Sequence, residues 1–195
     1  MHNLKTTYHP ELLLIGGSAG SLNVIMEMLK EIDFYLSFAI VIVVHRKPYS
    51  TSVLPQLLQQ ITELEVIEIE DKIDIVSNKI YIAPSDYHLL FENTKSVSLD
   101  SSEKMNYSRP SIDVTFRSAA EVFGSKMIAV LLSGANADGV EGLKYVKNNA
   151  GKVWIQNPDT AQVDYMPRMG IQSGASDIIF YPEELAQLLK KCSKL

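Results

Sequence analysis

The strongest chemical signal in the sequence is a serine placed inside a short glycine turn. Residues 16–20 read Gly-Gly-Ser-Ala-Gly, which satisfies the pattern G-x-S-x-G, and they follow an apolar run typical of a buried strand. At a turn between a strand and a helix, small flanking residues allow the sharp bend that exposes a nucleophilic serine hydroxyl. A phosphate-binding loop or a plain tight turn remains open, although Ser18 stands where the dinucleotide fingerprint G-x-G-x-x-G needs its second glycine.

A histidine and an aspartate follow two further apolar runs in the same way. His45 ends the run over residues 38–44, and Asp138 lies in the small-residue loop after residues 127–132. Because ligand sites of open α/β sheets lie beyond the carboxyl ends of the strands, Ser18, His45 and Asp138 are expected to converge at one edge. Together they are the set of a serine hydrolase, in which the imidazole takes the serine proton and the carboxylate orients the imidazole.

Both partners of the serine have alternatives. His88 is a second candidate base if the segment around it folds over the same edge, and any lone histidine after a strand is often structural. Asp138 precedes a glycine and would also suit a helix N-cap, while Asp113 fits the first turn of its own helix. The order Ser18, His45, Asp138 also differs from the serine, acid, histidine order of the α/β-hydrolases. A triad in this chain therefore requires a different fold with the same geometry.

The elements that must position these residues alternate between strand and helix. Buried-strand runs cover residues 12–15, 38–44, 127–132 and 152–155, with helical apolar spacing after the first three. Short strand-like pieces over residues 79–99, with a turn at residues 93–95, predict an antiparallel hairpin. The last helix begins at residue 182 and ends near residue 191. We predict one domain over residues 1–195, a three-layer α/β/α sandwich with a mostly parallel, Rossmann-like sheet and an antiparallel hairpin.

Composition excludes several classes of protein. The chain has 195 residues, a formal net charge of −5 and one cysteine, Cys192. A nucleic-acid-binding surface would show clustered basic residues, and a disulfide scaffold or a zinc site built on cysteines would need more cysteines. No apolar run approaches the length of a membrane span, and no signal-peptide core follows Met1. We therefore expect a cytoplasmic protein that neither inserts into a membrane nor binds nucleic acid.

Six segments, taken in order, resemble the catalytic domain of the CheB-type chemotaxis methylesterases, which act on bacterial chemoreceptors. The resemblance extends from about residue 12 to residue 189 and rests on residues 15–20, 43–45, 81–88, 108–113, 132–139 and 165–168. It implies a parallel α/β sheet on which Ser18 is the nucleophile, His45 the general base and Asp138 the orienting acid. The implied reaction is hydrolysis of glutamate methyl esters to glutamate and methanol, with glutamine deamidation as a second activity.

The resemblance also implies a substrate and partners. We expect a cytoplasmic helix of a methyl-accepting chemoreceptor as substrate, a separate receiver or other chemotaxis signalling protein as a further partner, and no metal or organic cofactor. Only eleven residues precede the first strand, so we expect no control by a receiver domain within this chain.

The resemblance further implies which residues contact the substrate. Backbone N–H groups of Ala19 and Ala135 are expected to hold the oxyanion. Four residues in loops are expected to flank the substrate: Tyr107, Arg109, Met166 and Arg168.

Two departures from the family pattern keep other functions open. Ala19, Gly20 and Ser21 stand where the family has threonine and two glycines, and residues 134–136 read Gly-Ala-Asn instead of Gly-Met-Gly. Backbone donors survive such side-chain changes. The alternatives are a non-catalytic adaptor of the same fold, a hydrolase of small esters, and a module that binds a nucleotide phosphate at the glycine turn.

Overall fold

The main sheet is a seven-stranded parallel sheet. The computed structural model describes residues 8–47 and 53–193. In chain order the strands of this sheet are β1 (Leu12–Gly17), β2 (Ala39–Val44), β3 (Glu65–Glu68), β4 (Lys79–Ile82), β7 (Met127–Leu131), β8 (Lys152–Gln156) and β9 (Ile178–Phe180); β5 (His88–Phe91) and β6 (Val97–Asp100) form a separate antiparallel pair. The order across the sheet is β3-β4-β2-β1-β7-β8-β9, and every neighbouring pair is parallel. The predicted fold class is confirmed.

Helices cover both faces of this sheet. They are α1 (Ser21–Lys30), α2 (Leu54–Gln59), α3 (Ile112–Phe123), α4 (Val140–Asn148), α5 (Tyr165–Gln172) and α6 (Leu185–Cys192). Successive side chains of a strand point to opposite faces, so Leu12 and Leu14 join the core under α3, α4 and α5. Leu13 and Ile15 join the core under α1, α2 and α6. The two buried faces explain why the strand runs are continuously apolar rather than alternating.

The hairpin is shorter than the sequence indicated. The segment at residues 79–82, which we assigned to it, is β4 and pairs in parallel with β2 and β3. The antiparallel pair is β5 with β6, joined by a turn in which the Asn93 side chain accepts hydrogen bonds from the N–H groups of Lys95 and Ser96. Both edge strands of the main sheet, β3 and β9, were absent from the sequence prediction.

Among the described residues, no helix has both the length and the apolar composition needed to cross a bilayer.

Candidate active site

The three predicted catalytic residues lie at the carboxyl ends of three adjacent strands. The central strand β1 is flanked by β2 and β7, and the strand order changes direction between β1 and β7. Ser18 follows β1, His45 follows β2, and Asp138 lies in the loop after β7. Backbone hydrogen bonds tie these segments together, since the His45 N–H donates to the carbonyl of Gly17 and the Ser18 N–H to that of Ser133. Such a switch point is where open α/β sheets bind ligands.

Ser18 occupies a tight turn that only small residues allow. A Cβ on Gly16 would lie 2.5 Å from Cγ2 of Ile112, so α3 packs directly on the end of β1. Gly20 has φ of +83° and directly precedes α1, whose first residue, Ser21, donates its hydroxyl to the Ser18 carbonyl. The Ser18 hydroxyl itself forms no hydrogen bond with any described residue, and the side chain is half-exposed. It is therefore accessible and free to rotate.

His45 and Asp138 form a direct side-chain hydrogen bond at this edge. The Nε2 atom of His45 lies 2.7 Å from Oδ2 of Asp138, which is fully buried. Because an ionised carboxylate only accepts hydrogen bonds, Nε2 carries the proton of the neutral ring, which leaves Nδ1 unprotonated. An imidazole held in this way by a buried carboxylate has its second nitrogen available as a general base.

Asp138 is held by the N-terminus of α3. Its oxygens accept hydrogen bonds from the N–H groups of Ile112 (2.7 Å) and Asp113 (3.0 Å) and from the hydroxyl of Ser111 (2.8 Å), in addition to His45. Burial raises the pKa of Asp138, but these hydrogen bonds outweigh burial and lower the pKa below its usual value. The carboxylate is therefore charged and fixed in orientation. The idea that Asp138 caps the helix that follows it is not supported, since no side chain caps α4.

His88 has a supporting position. Its ring is buried; Nδ1 accepts the N–H of Ser111 at 3.1 Å, and Nε2 lies 3.0 Å from the carbonyl of Glu103. Both ring nitrogens are occupied, so His88 is not available as a base and instead orients Ser111, which contacts Asp138. A serine before Ile112 and Asp113 is a typical N-cap signal, but nothing in the sequence indicates that Ser111 also contacts Asp138.

Asp113 is a second carboxyl group close to Asp138. It lies in the first turn of α3, as predicted, and accepts the N–H of Gly142 at 2.7 Å. Burial is the main reason that the pKa of Asp113 is raised to about 6; the negative charge of Asp138 adds to this effect, and the Gly142 hydrogen bond opposes it. This group titrates close to neutral pH beside the carboxylate that orients His45.

Two backbone N–H groups near Ser18 were predicted to hold an oxyanion. Those of Ala19 and Ala135 donate to no acceptor among the described residues. The loop that carries Ala135 lies against the serine, because a Cβ on Gly134 would be 3.1 Å from Cβ of Ser18 and 2.5 Å from Cε of Met166. The hydroxyl of Ser133, 2.6 Å from the carbonyl of Ala19, ties the same two loops together. Both free donors therefore flank the nucleophile candidate.

Comparison with known proteins identifies the family. The sequence model of the family described as CheB methylesterase matches residues 13–189. The chain belongs to the CheB methylesterase family. A Thermotoga maritima protein named protein-glutamate methylesterase/protein-glutamine glutaminase is 34% identical over 95% of this chain and 56% of its own length. A Leptospira interrogans protein that carries the same pair of names provisionally is 39% identical over 91% of this chain and 92% of its own length.

A solved structure of the CheB family has the same fold. The crystal structure of the Thermotoga maritima CheB methylesterase catalytic domain superposes with a TM-score of 0.87 at 33% identity, over 92% of this chain and 97% of that one. Several relatives are longer, and this chain spans about half of a Halobacterium salinarum protein-glutamate methylesterase/protein-glutamine glutaminase, at 32% identity.

The four residues expected to flank a substrate of this CheB fold are dispersed. Tyr107, 98% exposed, and Arg109 line a cavity that also contains His45. Met166 and Arg168 lie on α5 rather than in a loop. Met166 is fully buried beneath Gly134, so it supports the loop that carries Ala135 and has no surface open to a substrate. Arg168 pairs with Asp164 on the exposed side of α5 and lines neither cavity described here.

A cavity of about 270 Å³ joins the nucleophile and base candidates. Ser18 and His45 both line it, and its other walls are largely aliphatic, with contributions from Leu22, Val44 and Leu54. Among residues 8–47 and 53–193, no group of three or more histidine, cysteine, aspartate or glutamate side chains is arranged to hold a metal ion. The groups that acyl transfer through a serine requires are therefore present at one place: a serine hydroxyl, an imidazole held by a carboxylate, and backbone N–H groups beside the serine.

Proposed function

We propose that this protein is a serine hydrolase that demethylates glutamate methyl esters on the cytoplasmic helices of bacterial chemoreceptors. One observation carries this proposal. Ser18 and His45 line the same cavity, and the buried, ionised Asp138 holds the Nε2–H group of His45. Membership of the CheB methylesterase family supplies the substrate class. Such a substrate would place the enzyme in the cytoplasm.

Acylation begins when the Ser18 hydroxyl rotates toward Nδ1 of His45. The imidazole takes the hydroxyl proton while Oγ attacks the ester carbonyl, and the negative charge develops on the carbonyl oxygen beside the N–H groups of Ala19 and Ala135. Each such donor contributes about 3 kcal/mol to a transition state of this kind. The protonated imidazole, stabilised by the Asp138 carboxylate, then gives its proton to the leaving methoxide. The products of this half-reaction are methanol and a glutamyl ester of Ser18.

Deacylation reverses the roles of the same groups. His45 Nδ1 removes a proton from water, the hydroxide attacks the acyl carbonyl, and the imidazolium returns the proton to Oγ as the ester bond breaks. Free glutamate side chain and Ser18 result. An amide fits the same scheme with ammonia as the leaving group, so we include glutamine deamidation, in agreement with the double name of the relatives.

Replacement of Ser18 by alanine tests the proposal. We expect methanol release from methylated receptor fragments to fall at least about 10³-fold in Ser18→Ala, since the covalent route is lost. A fluorophosphonate should add to the wild type at Ser18 and not to the variant, as measured by peptide mass spectrometry. The control is Ser125→Ala, an exposed serine just before β7 at the opposite edge of the sheet, which should keep full activity. Turnover by Ser18→Ala at the wild-type rate would remove Ser18 from the mechanism.

A further inference from the structure

A second cavity beside His45 is distinctly basic. It has a volume of about 310 Å³, and four cationic side chains line it: Arg46, Lys47, Lys104 and Arg109. Asp86 is the single acidic residue in the same wall. The chain as a whole has a net charge of −5, so the cavity beside His45 is a positively charged region on a negatively charged protein.

The two arginines in this cavity are committed to internal partners. Arg109 lies 2.8 Å from Oδ1 of Asp86 and also donates to the carbonyls of Ser101 and Ser102, and the Arg109 hydrogen bond lowers the pKa of Asp86. Arg46 pairs with Glu68, outside the cavity, and donates to the carbonyl of Ala83. These contacts fix the arginines in place and neutralise much of their charge.

The two lysines supply charge that no ion pair neutralises, although Lys104 lies close enough to Asp86 for its charge to help Arg109 lower the pKa of that carboxyl. Lys47 and Lys104 are exposed, and neither forms an ion pair or a hydrogen bond with any described residue. A lysine is a compact point charge with three donors, which suits a mobile carboxylate on a bound chain.

This cavity and the one beside Ser18 share a wall formed by His45, Arg46 and Lys47. An ester carbonyl at Ser18 therefore has an aliphatic cavity around it and a basic cavity across the shared wall. On a helical substrate, residues three or four positions apart lie about 5–6 Å from each other on one face. A side chain one helical turn from the ester is thus the neighbouring group of the substrate that we pair with the basic cavity.

We propose that this basic cavity is a carboxylate subsite, which selects substrates with an acidic side chain one helical turn from the esterified glutamate. The inference rests on the proposed function and adds to it the residues that set substrate preference. Lys47 and Lys104 are specificity determinants in this scheme, whereas Ser18, His45 and Asp138 carry out the reaction. The attraction is electrostatic, so it acts mainly on KM and weakens as salt is added.

The test compares two methyl-esterified helical peptides that differ at one position. One carries glutamate and the other glutamine four residues from the ester, and a second pair places the same change on the other side of the ester. For at least one of the pairs, we expect the wild type to prefer the acidic peptide by about fivefold to tenfold in kcat/KM at low salt. In the double variant Lys47→Gln/Lys104→Gln this ratio should fall to about one, through KM and with kcat retained.

A charge-matched double variant separates local from global electrostatics. Lys30→Gln/Lys152→Gln removes the same two charges from exposed positions at the end of α1 and the start of β8, at the opposite edge of the sheet, and should keep the preference. An unchanged ratio in Lys47→Gln/Lys104→Gln, or equal rates for all peptides in the wild type, would overturn the subsite and leave the esterase activity standing. Failure of the wild type to hydrolyse any of the esters would overturn the proposed function as well.

Discussion

At the scale of single residues, the main feature of the site is a carboxylate whose two oxygens both accept hydrogen bonds. Asp138 receives four hydrogen bonds, from His45, Ser111 and the N–H groups of the first two residues of α3. A carboxylate with so many donors stays ionised at neutral pH, and its low pKa agrees with this. In the proposed mechanism it is therefore the group that would stabilise the imidazolium formed on His45, without taking the proton itself.

Replacement of Asp138 by asparagine should remove the carboxylate charge that orients His45 while keeping the size and shape of the side chain. The amide NH₂ would face at least one of the four donors, and it no longer favours the tautomer with the proton on Nε2. We expect kcat to fall about 10³-fold to 10⁴-fold with KM little changed, as measured by methanol release. Asp164→Asn, which alters an exposed pair with Arg168, is the control and should stay within about twofold of the wild type. Normal kcat in Asp138→Asn would contradict an orienting role.

At the scale of elements, the site depends on how closely the loop after β7 packs on the turn after β1. Gly134 is the contact point, because a side chain there meets both Met166 and Ser18. Met166 is buried under this loop, and its N–H donates to the Gly134 carbonyl. Helix α5 thus fixes the position of the loop that carries Ala135.

Substitution of Gly134 by alanine should displace this loop. The added Cβ would lie 2.5 Å from Cε of Met166, which is closer than real contacts, and 3.1 Å from Cβ of Ser18. We expect kcat to fall on the order of 10²-fold, since displacements near 1 Å have effects of that size, with a cooperative unfolding transition retained. Gly174→Ala is the comparison. Gly174 has φ of +75° and open space around it, so its loss should cost stability and leave kcat unchanged. Equal kcat losses in the two variants would argue against a positional effect at Gly134.

The sequence predicts the central elements well because burial on two faces leaves an unmistakable pattern. Strands β1, β2 and β7 are continuous apolar runs, and the polar residues that end them mark the edge where the site forms. Shorter elements carry weaker signals. The four residues of β4 are too few to distinguish a parallel strand from a hairpin strand. Helix α5 contains Pro167 and Gly170, which are typical of a loop, although proline is tolerated in a first helical turn.

The support of the site was less predictable than its three central residues. His88 reaches Ser111 across 23 positions of sequence, and neither residue type indicates which partner it will find. The burial of Met166 is likewise not indicated by its local sequence, from which we expect a loop residue that flanks the substrate. Contacts of this kind depend on how α3, α5 and the loop after β7 pack together, which follows from the tertiary fold and not from local propensity.

At the scale of the whole molecule, the N-terminus of α3 links the site to stability. Two carboxyl groups meet there with opposite shifts, since the pKa of Asp138 is lowered and that of Asp113 is raised to about 6. A lowered pKa stabilises the fold above the unfolded value and loses this contribution as the pH falls through the folded value. A raised pKa acts in the other direction: the folded protein binds the extra proton between about pH 4 and pH 6, so the free energy of unfolding decreases as the pH rises across that window.

Replacement of Asp113 by asparagine should remove the decrease in the free energy of unfolding between about pH 4 and pH 6. The amide oxygen can still accept the N–H of Gly142, but no charge is buried beside Asp138 above pH 6. The variant should match the wild type near pH 4 and exceed it by about 1–2 kcal/mol at pH 7, a figure reduced for the partial exposure of the carboxyl group. Urea unfolding at intervals from pH 4 to pH 8 measures the free energy of unfolding of both proteins.

The control is Glu63→Gln, at an exposed position with no ion pair among the described residues. Its free energy of unfolding should follow the same pH dependence as that of the wild type. A curve for Asp113→Asn that also falls between pH 4 and pH 6 would show that another group dominates the titration, because only the loss of a charge at position 113 separates the two proteins.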